Sequence, residues 1–301
     1  MDFQNIYGVP PDELISLADT PRQFSPLFPG ADDMSEIPAQ SLDNLVILAP
    51  PGTIERRYAI ALGLKAVAPG APFIVLAPKD KGGSRLAKDL KDFGCAFVED
   101  ARRHHRICTI TSCGDAAALD AALAEGAPRL DEGLKLWTQP GVFSWNRLDP
   151  GSALLLQHLP KLSGNGADFG CGLGVLAHKV LANDKVTRLA LIDIDRRAID
   201  MAKRNLADPR IDFLWADART VKHAKPLDFV VMNPPFHEGG IENQSLGQNF
   251  IHSAAKALRP GGVCWLTANR HLPYEAVMKP LFKNVTAVAE AGGFKIYEAR
   301  K

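Results

Sequence analysis

The sequence predicts an α/β fold. A doubly wound, mainly parallel sheet with helices on both faces fills the second half of the chain, and a shorter unit of related design fills the first. Three observations carry this expectation. Apolar strand-like runs alternate with helical periods from about residue 150 onward. A glycine-rich turn, Asp168-Phe169-Gly170-Cys171-Gly172-Leu173-Gly174, follows the first of those strands. One pattern of strand, Pro-Pro turn, helix, Pro-Gly and strand occurs twice.

The elements of the second half read in order. Asp149-Pro150 starts a helix, with Asp as cap and Pro in the first turn. Leu154, Leu155, Leu156 and Leu159 supply its buried face. A short strand ends near Asp168, and a helix runs from about Val175 to Leu181. Leu189 to Ile192 is a strand that ends at Asp193. Asp195 caps a helix carrying Ala198, Ile199, Ala202 and Leu206. Phe213-Leu214-Trp215 and Phe229 to Met232 are the next strands.

The repeat pairs Leu45-Val46-Ile47-Leu48-Ala49-Pro50-Pro51 with Phe229-Val230-Val231-Met232-Asn233-Pro234-Pro235. Lys65 to Gly70 then matches Lys256 to Gly261, and each is followed by an apolar strand, Phe73 to Leu76 or Val263 to Leu266. Each copy continues with a helix, near Arg85–Asp92 or Tyr274–Phe282, and ends in strand-like sequence, near 95–98 with 107–111 or 285–288 with 294–297. The first copy has Ala49 where the second has Asn233, and no glycine-rich turn precedes it. Too little chain lies upstream of Leu45 to supply a full cofactor-binding half. The first copy is therefore expected to be catalytically silent, a substrate platform or a stabilising partner. The boundary is expected in the stretch from Gly126 to Gln139, which shows little periodicity, giving units of 1–135 and 136–301.

Composition narrows the class. A chain that is 46% hydrophobic folds to a core. A net charge of +1 gives no strongly basic footprint, which weakens any case for tight, sequence-independent binding of nucleic acid. The five cysteines form no Cys-x-x-Cys pair, so reduced thiols in a cytoplasmic protein are expected and a metal site is not. No basic segment followed by an apolar run begins the chain, and no apolar run is long enough to span a bilayer.

In open α/β sheets, ligands bind beyond the carboxyl ends of the strands. The glycine turn sits there, and Gly170, Cys171, Gly172 and Gly174 let a ligand approach the backbone closely. Asp168 suits a cofactor amino group. Asp193, about twenty residues on, suits ribose hydroxyls, and Ile194 beside it suits an adenine face. Asp217, with the Ala218 amide beside it, suits the adenine amino group. Taken singly, Asp193 and Asp217 read equally well as solvated caps; their places at successive strand ends favour a ligand. The acid on the strand and the Asn-Pro-Pro-Phe turn favour S-adenosylmethionine over a dinucleotide.

The chemistry falls to Asn233-Pro234-Pro235-Phe236. An exocyclic amine on a flat base is a poor nucleophile because its lone pair is delocalised into the ring. Acceptors on its N–H groups, the Asn233 side-chain oxygen and the Pro234 carbonyl, draw the nitrogen toward a tetrahedral state. Proline after Asn233 favours an extended backbone there, and the two prolines remove competing donors. Phe236 offers a face on which a flipped base can stack, worth about 1–3 kcal/mol. Pro140 to Ser144, with Phe143, either folds over the methionine end of the cofactor or is a linker with one buried aromatic. Arg270, after a strand at the same sheet edge, either contacts phosphate or lies in a solvated loop. Arg102 to Arg106 is the densest basic run, an RNA contact or an exposed face.

The motifs Pro140-Gly141-Val142-Phe143-Ser144, Leu148-Asp149-x-Gly151-Ser152, Asp168 to Gly174, Asn233 to His237, Ala268-Asn269-Arg270-His271-Leu272-x-Tyr274 and Phe294-Lys295 together resemble the ribosomal RNA guanine-N2 methyltransferases. The first half is similar to the degenerate methyltransferase-like domain of that family, though shorter. The resemblance implies a class I, Rossmann-like domain dependent on S-adenosylmethionine, acting on guanine N2 of 16S or 23S rRNA, as naked RNA or in a ribosomal subunit. Asn269-Arg270-His271 looks like the large-subunit branch and other stretches like the small-subunit branch. Methylation of a protein glutamine amide or a small molecule, and a non-catalytic RNA-binding or ribosome-assembly role, are the competing readings. Intact Asp168, Asp193 and Asn233 argue against the last.

Overall fold

A computed structural model describes residues 2–112, 114–235, 237–238, 241–242 and 244–301. The chain divides into two compact units, Met1–Ala127 and Pro128–Lys301.

The first unit contains β1 (Phe3–Tyr7), β2 (Leu17–Gln23), β3 (Leu45–Leu48), α1 (Thr53–Ala66), β4 (Phe73–Pro78), α2 (Ser84–Asp92), β5 (Ala96–Arg102), β6 (His105–Ser112) and α3 (Ala116–Gly126). Its sheet runs β2-β1-β3-β4-β6-β5, parallel up to β4 and antiparallel beyond. Leu45 and Ile47, fully buried on β3, pack with Ile60 and Leu64 of α1 and Leu86 and Leu90 of α2. Ahead of Leu45, where the residue count leaves no room for a full cofactor-binding half, the chain nonetheless forms two parallel strands. A short connection without a helix, residues 8–16, joins them and makes the saving.

The second unit begins with a hairpin, β7 (Arg129–Asp131) and β8 (Leu136–Thr138). These residues were the ones expected to form an irregular boundary. Strands of three residues are too short to show alternation, and this pair is closed by Asp131, whose carboxylate accepts the Gly133 and Leu134 amides. There follow α4 (Pro150–His158), β9 (Gly164–Phe169), α5 (Val175–Leu181), β10 (Val186–Asp193), α6 (Arg196–Asn205), β11 (Ile211–Trp215) and β12 (Leu227–Met232). After a two-residue pair, β13 (His237–Glu238) and β14 (Ile241–Glu242), come α7 (Gln244–Ala257), β15 (Leu258–Asn269), α8 (Tyr274–Met278), β16 (Asn284–Ala291) and β17 (Phe294–Arg300).

The main sheet of this unit runs β11-β10-β9-β12-β15-β17-β16, with parallel pairing through β15 and an antiparallel β16–β17 edge. Burial on both faces explains its continuous apolar strands. On β12, Phe229 and Val231 pack with Leu155, Leu176 and Ile199, and Val230 and Met232 pack with Ile251, Tyr274 and Met278. Close sheet packing also sets a glycine: a Cβ on Gly166 of β9 would lie 2.1 Å from the Phe229 ring.

The two sheets share one order. Laid strand for strand, β2-β1-β3-β4-β6-β5 follows β10-β9-β12-β15-β17-β16 in position and direction. The Pro-Gly breaks match as well, with Gly70 at φ +78 and Gly261 at φ +76, both left-handed. Among the described residues, no helix is long and apolar enough to cross a membrane.

Candidate active site

The parallel strands of the second unit bring Asp168, Asp193 and Asn233 to neighbouring carboxyl ends. Asp168 and Phe169 end β9, Asp193 ends β10, and Asn233 follows β12, where Met232 is paired with Phe169. The turn after β9 is held by backbone bonds: the Gly170 and Cys171 amides both donate to the Ile192 carbonyl at 2.8 and 3.1 Å. Gly170, Gly172 and Gly174 have φ of +74, +52 and +81, where side chains are disfavoured. A Cβ at Gly172 would meet nothing within 4 Å, so the turn presents open space there.

Asp193 ties the glycine turn to the next strand end. One carboxylate oxygen accepts the Gly172 amide at 2.9 Å, and the other accepts the Asp195 amide at 2.9 Å. Burial pushes its carboxyl up to about 6, against the pull of these bonds. Asp168 is fully buried, and among the described residues neither of its oxygens has a hydrogen-bond partner. Burial, and then the charge of Asp193, push its carboxyl up to about 8. An unpartnered buried carboxyl is costly unless a cation completes it. The donor set therefore fits a ligand that carries an ammonium group and nucleoside hydroxyls.

Asn233 is fixed from α4. Its side-chain amide donates to Asp149 Oδ1 at 2.7 Å and to Ser152 Oγ at 2.8 Å. The same Asp149 oxygen accepts the Ser152 amide at 2.8 Å and caps the helix. With both amide hydrogens spent, the Asn233 oxygen is left as an acceptor on the other side. In the sequence Asp149 shows only as a helix cap. The signal for more was the Leu148-Asp149-x-Gly151-Ser152 run, which sets a carboxylate and a hydroxyl on one helical turn.

A cavity of about 190 Å³ lies between the glycine turn and Asn233, and Asp168, Gly174 and Asp193 lie outside its walls. Its walls include Gly170, Cys171, Gly172, Phe143, Asp149, Ser152 and Asn233, with Leu134 and Leu136 from the β7–β8 hairpin. Phe143 is 59% exposed at this cavity, so the Pro140–Ser144 segment borders the site and does not bury its aromatic. Cys171 is buried, and burial with the charges of Asp193 and Asp168 holds its thiol well above its ordinary value, so it is no nucleophile.

Other expected residues lie beyond the cavity. Ile194 is 38% exposed beside Asp193. Asp217 follows β11, but Arg219 engages both its oxygens at 2.7 to 2.9 Å. Burial raises the Asp217 carboxyl and Arg219 more than offsets that, leaving it below its usual range. The Ala218 side chain is buried in the core. Arg270 pairs with Glu290 at 3.0 Å, on an exposed edge. Phe236 lies outside the described residues; Pro234, two residues before it, is buried. In the first unit, Arg102, Arg103 and Arg106 pair with Asp100, Glu13 and Glu99.

Residues 133–298 match the family described as methyltransferase small domain. A ribosomal RNA small subunit methyltransferase C of Stutzerimonas stutzeri (strain A1501) is 31% identical over 97% of this chain and 92% of its own length. One of Pseudomonas aeruginosa (strain LESB58) is 32% identical over 98% and 93%. The chain belongs to this methyltransferase family. A solved structure of a T. thermophilus 16S rRNA N2 G1207 methyltransferase, in complex with AdoMet and guanosine, has the same fold as this family member. Its TM-score is 0.72 at 22% identity, covering 95% of this chain and 77% of that one.

The two units share one strand order, and the first closes the corresponding turns differently. Gln23, ending β2, accepts the Gly8 and Ser25 amides at 3.0 and 2.9 Å, as Asp193 accepts those of Gly172 and Asp195. Gln23 also donates to the Gly8 carbonyl at 2.8 Å, so a neutral amide closes that turn upon itself. At the Pro50-Pro51 turn, the buried Arg56 donates to the Pro51 carbonyl at 2.9 Å and Ala49 replaces the asparagine.

Proposed function

We propose that the second unit transfers a methyl group from S-adenosylmethionine to the exocyclic N2 of a guanine in 16S rRNA. The observation that carries this reading is the pairing of an unpartnered buried Asp168 with an Asn233 whose amide oxygen is committed as an acceptor. The small-subunit names of the relatives favour 16S over 23S rRNA.

S-adenosylmethionine supplies an electrophilic methyl group on a sulfonium. Asp168 takes the ammonium end, and Asp193 accepts from the ribose. Gly170, Cys171 and Gly172 form the floor against which the ligand lies, while Gly174 starts α5 and packs on Leu206. Ile194 packs on the adenine, with Ala218 and Asp217 at its amino group; for Asp217, that use requires Arg219 to share the carboxylate. Asn233 Oδ1 and the Pro234 carbonyl accept the two N–H groups of the guanine amine and aim its lone pair. Neither oxygen is a base at neutral pH, so they polarise the amine; as its lone pair takes the methyl, the sulfonium carbon–sulfur bond breaks to leave a neutral thioether, and the methylated amine gives up its extra proton to water. Catalysis is then placement and electrostatics, with no covalent enzyme intermediate. Phe236 and Phe143 supply aromatic faces for a flipped base, and Arg270 a cation for phosphate. The first unit is the silent counterpart.

The test is transfer of labelled methyl to small subunits and naked 16S rRNA that lack modification, with Asn233→Ala as control. Asn233→Ala keeps cofactor affinity and loses about 10²–10³-fold in rate. Label at a guanine N2 of 16S rRNA is the expected result. Equal loss of binding and rate in Asn233→Ala contradicts the assigned role, and absence of label from 16S rRNA sinks the substrate.

A further inference from the structure

We infer that Asp149 and Ser152 are positioning residues that lock the polarity of Asn233, so that the amide presents its oxygen and never its nitrogen to the substrate amine. The inference rests on the catalytic reading of Asn233 given above.

A primary amide has two nearly isosteric ends, one accepting and one donating. If the Asn233 side chain turned by half a revolution, its NH2 would face an incoming N–H group. The site would then repel the group it must polarise. Sequence alone cannot prevent this, because Asn233 and its neighbours Pro234 and Pro235 fix the backbone and not the outer torsion. The structure prevents it from a distant helix. Asp149 Oδ1 lies 2.7 Å and Ser152 Oγ 2.8 Å from the amide nitrogen. An ionised carboxylate can only accept, so the end of the amide that faces Asp149 must be the donor.

Two features make this more than a fold contact. Asp149 Oδ1 already accepts the Ser152 amide as the cap of α4, so the amide of Asn233 is held by an oxygen that the helix itself positions. Asp149, Ser152 and Asn233 also share the wall of the cavity that the glycine turn borders, where the reacting atoms must meet. A charge-assisted bond to the nitrogen shifts electron density onto the amide oxygen and improves it as an acceptor. The first unit has Ala49 at this place, so there is nothing there to lock.

The lock is tested with Asp149→Ser, Asp149→Asn and Ser152→Ala, each alone and with Asn233→Ala. Serine keeps a capping oxygen, but its hydroxyl can donate as well as accept and so no longer fixes which end of the Asn233 amide faces it. Asparagine caps and still reaches with a neutral acceptor. Single-turnover rate on unmodified small subunits or 16S rRNA, KM for that RNA, cofactor affinity by calorimetry and Tm are measured for each. Asp149→Ser is expected to lower the rate on the order of a hundredfold, with KM, cofactor affinity and Tm nearly unchanged. Ser152→Ala lowers the rate less, and Asp149→Asn restores part of it. In the Asn233→Ala background none of the three lowers the rate further.

Wild-type speed in Asp149→Ser removes the lock while leaving Asn233 in place. An undiminished further loss in the Asn233→Ala background makes the effect structural and overturns the inference too. If Asn233→Ala itself is as fast as the wild type, the catalytic reading falls and the lock with it.

Discussion

At the level of single residues, Asp168 carries the strongest consequence. Its carboxyl sits at about 8 because burial, and then Asp193, oppose its charge. The free protein therefore holds a proton that the unfolded chain releases near pH 4. Between about pH 4 and 8 the native state binds more protons than the unfolded state, so stability falls as pH rises through that window. With Asp168 as the proposed partner of the cofactor's ammonium group, the carboxylate must ionise on binding, and cofactor binding at pH 7 is expected to expel about one proton. Calorimetry in buffers of different ionisation enthalpy reads that number directly. Asp168→Asn is expected to expel none, to bind the cofactor far more weakly, and to raise the Tm of the free protein by several degrees at pH 8. A wild-type proton count in Asp168→Asn assigns the linkage to another group. Asp168 was legible in the sequence as an acid ending a strand before a glycine turn. Its lack of a partner was not, because that depends on what every neighbouring strand leaves unoccupied.

At the level of elements, the strands and helices with strong periods were legible. Val175–Leu181, Leu45–Leu48 and Phe229–Met232 could be read from apolar runs and their flanking turns. The β7–β8 hairpin and the β1–β2 pair were not, since short strands and a connection without a helix leave no period to read. Packing between elements also stayed hidden. Gly166 reads as a weak position in a strand, yet the Phe229 ring fills the place of its missing side chain. Gly166→Ala is expected to cost about 3 kcal/mol, the upper end for an overpacked core, because a rigid backbone and a fully packed ring leave little room to yield. Thermal or urea unfolding measures it, and a loss below about 1 kcal/mol shows that the ring can move aside.

At the level of the whole molecule, the net charge of +1 conceals an asymmetry. Residues 1–127 carry 12 Lys+Arg against 17 Asp+Glu, a net of −5. Residues 128–301 carry 23 against 17, a net of +6. The first unit is thus poorly suited to contact phosphates, and its basic turn at Arg102 to Arg106 is already paired with acids. A role for that unit as an RNA platform loses support, and phosphate contact shifts to the unit that carries the site. Charge reversal of the exposed Lys222 and Lys225, in the connection that follows Asp217, is expected to weaken RNA binding and to lower the salt slope by roughly 1 per lost contact. Reversal of Lys91 in the first unit is expected to leave both unchanged. Filter binding at several salt concentrations decides, and equal effects in the two units return the platform role to the first.

The sequence by itself determined the fold class, the shared strand-turn-helix pattern of the two halves, the glycine turn with its strand-end acids and the Asn-Pro-Pro turn. Each of these is written in neighbouring residues, where periodicity and turn chemistry act. Only the tertiary structure decided which end of the Asn233 amide is held and which is left free to accept, because its holders lie 84 and 81 residues away in the chain. It alone decided that Asp168 has no hydrogen-bond partner among the described residues and that Asp217 has one in Arg219. A side chain's protonation and orientation are set by the neighbours that folding brings within hydrogen-bond distance, and local sequence does not name them.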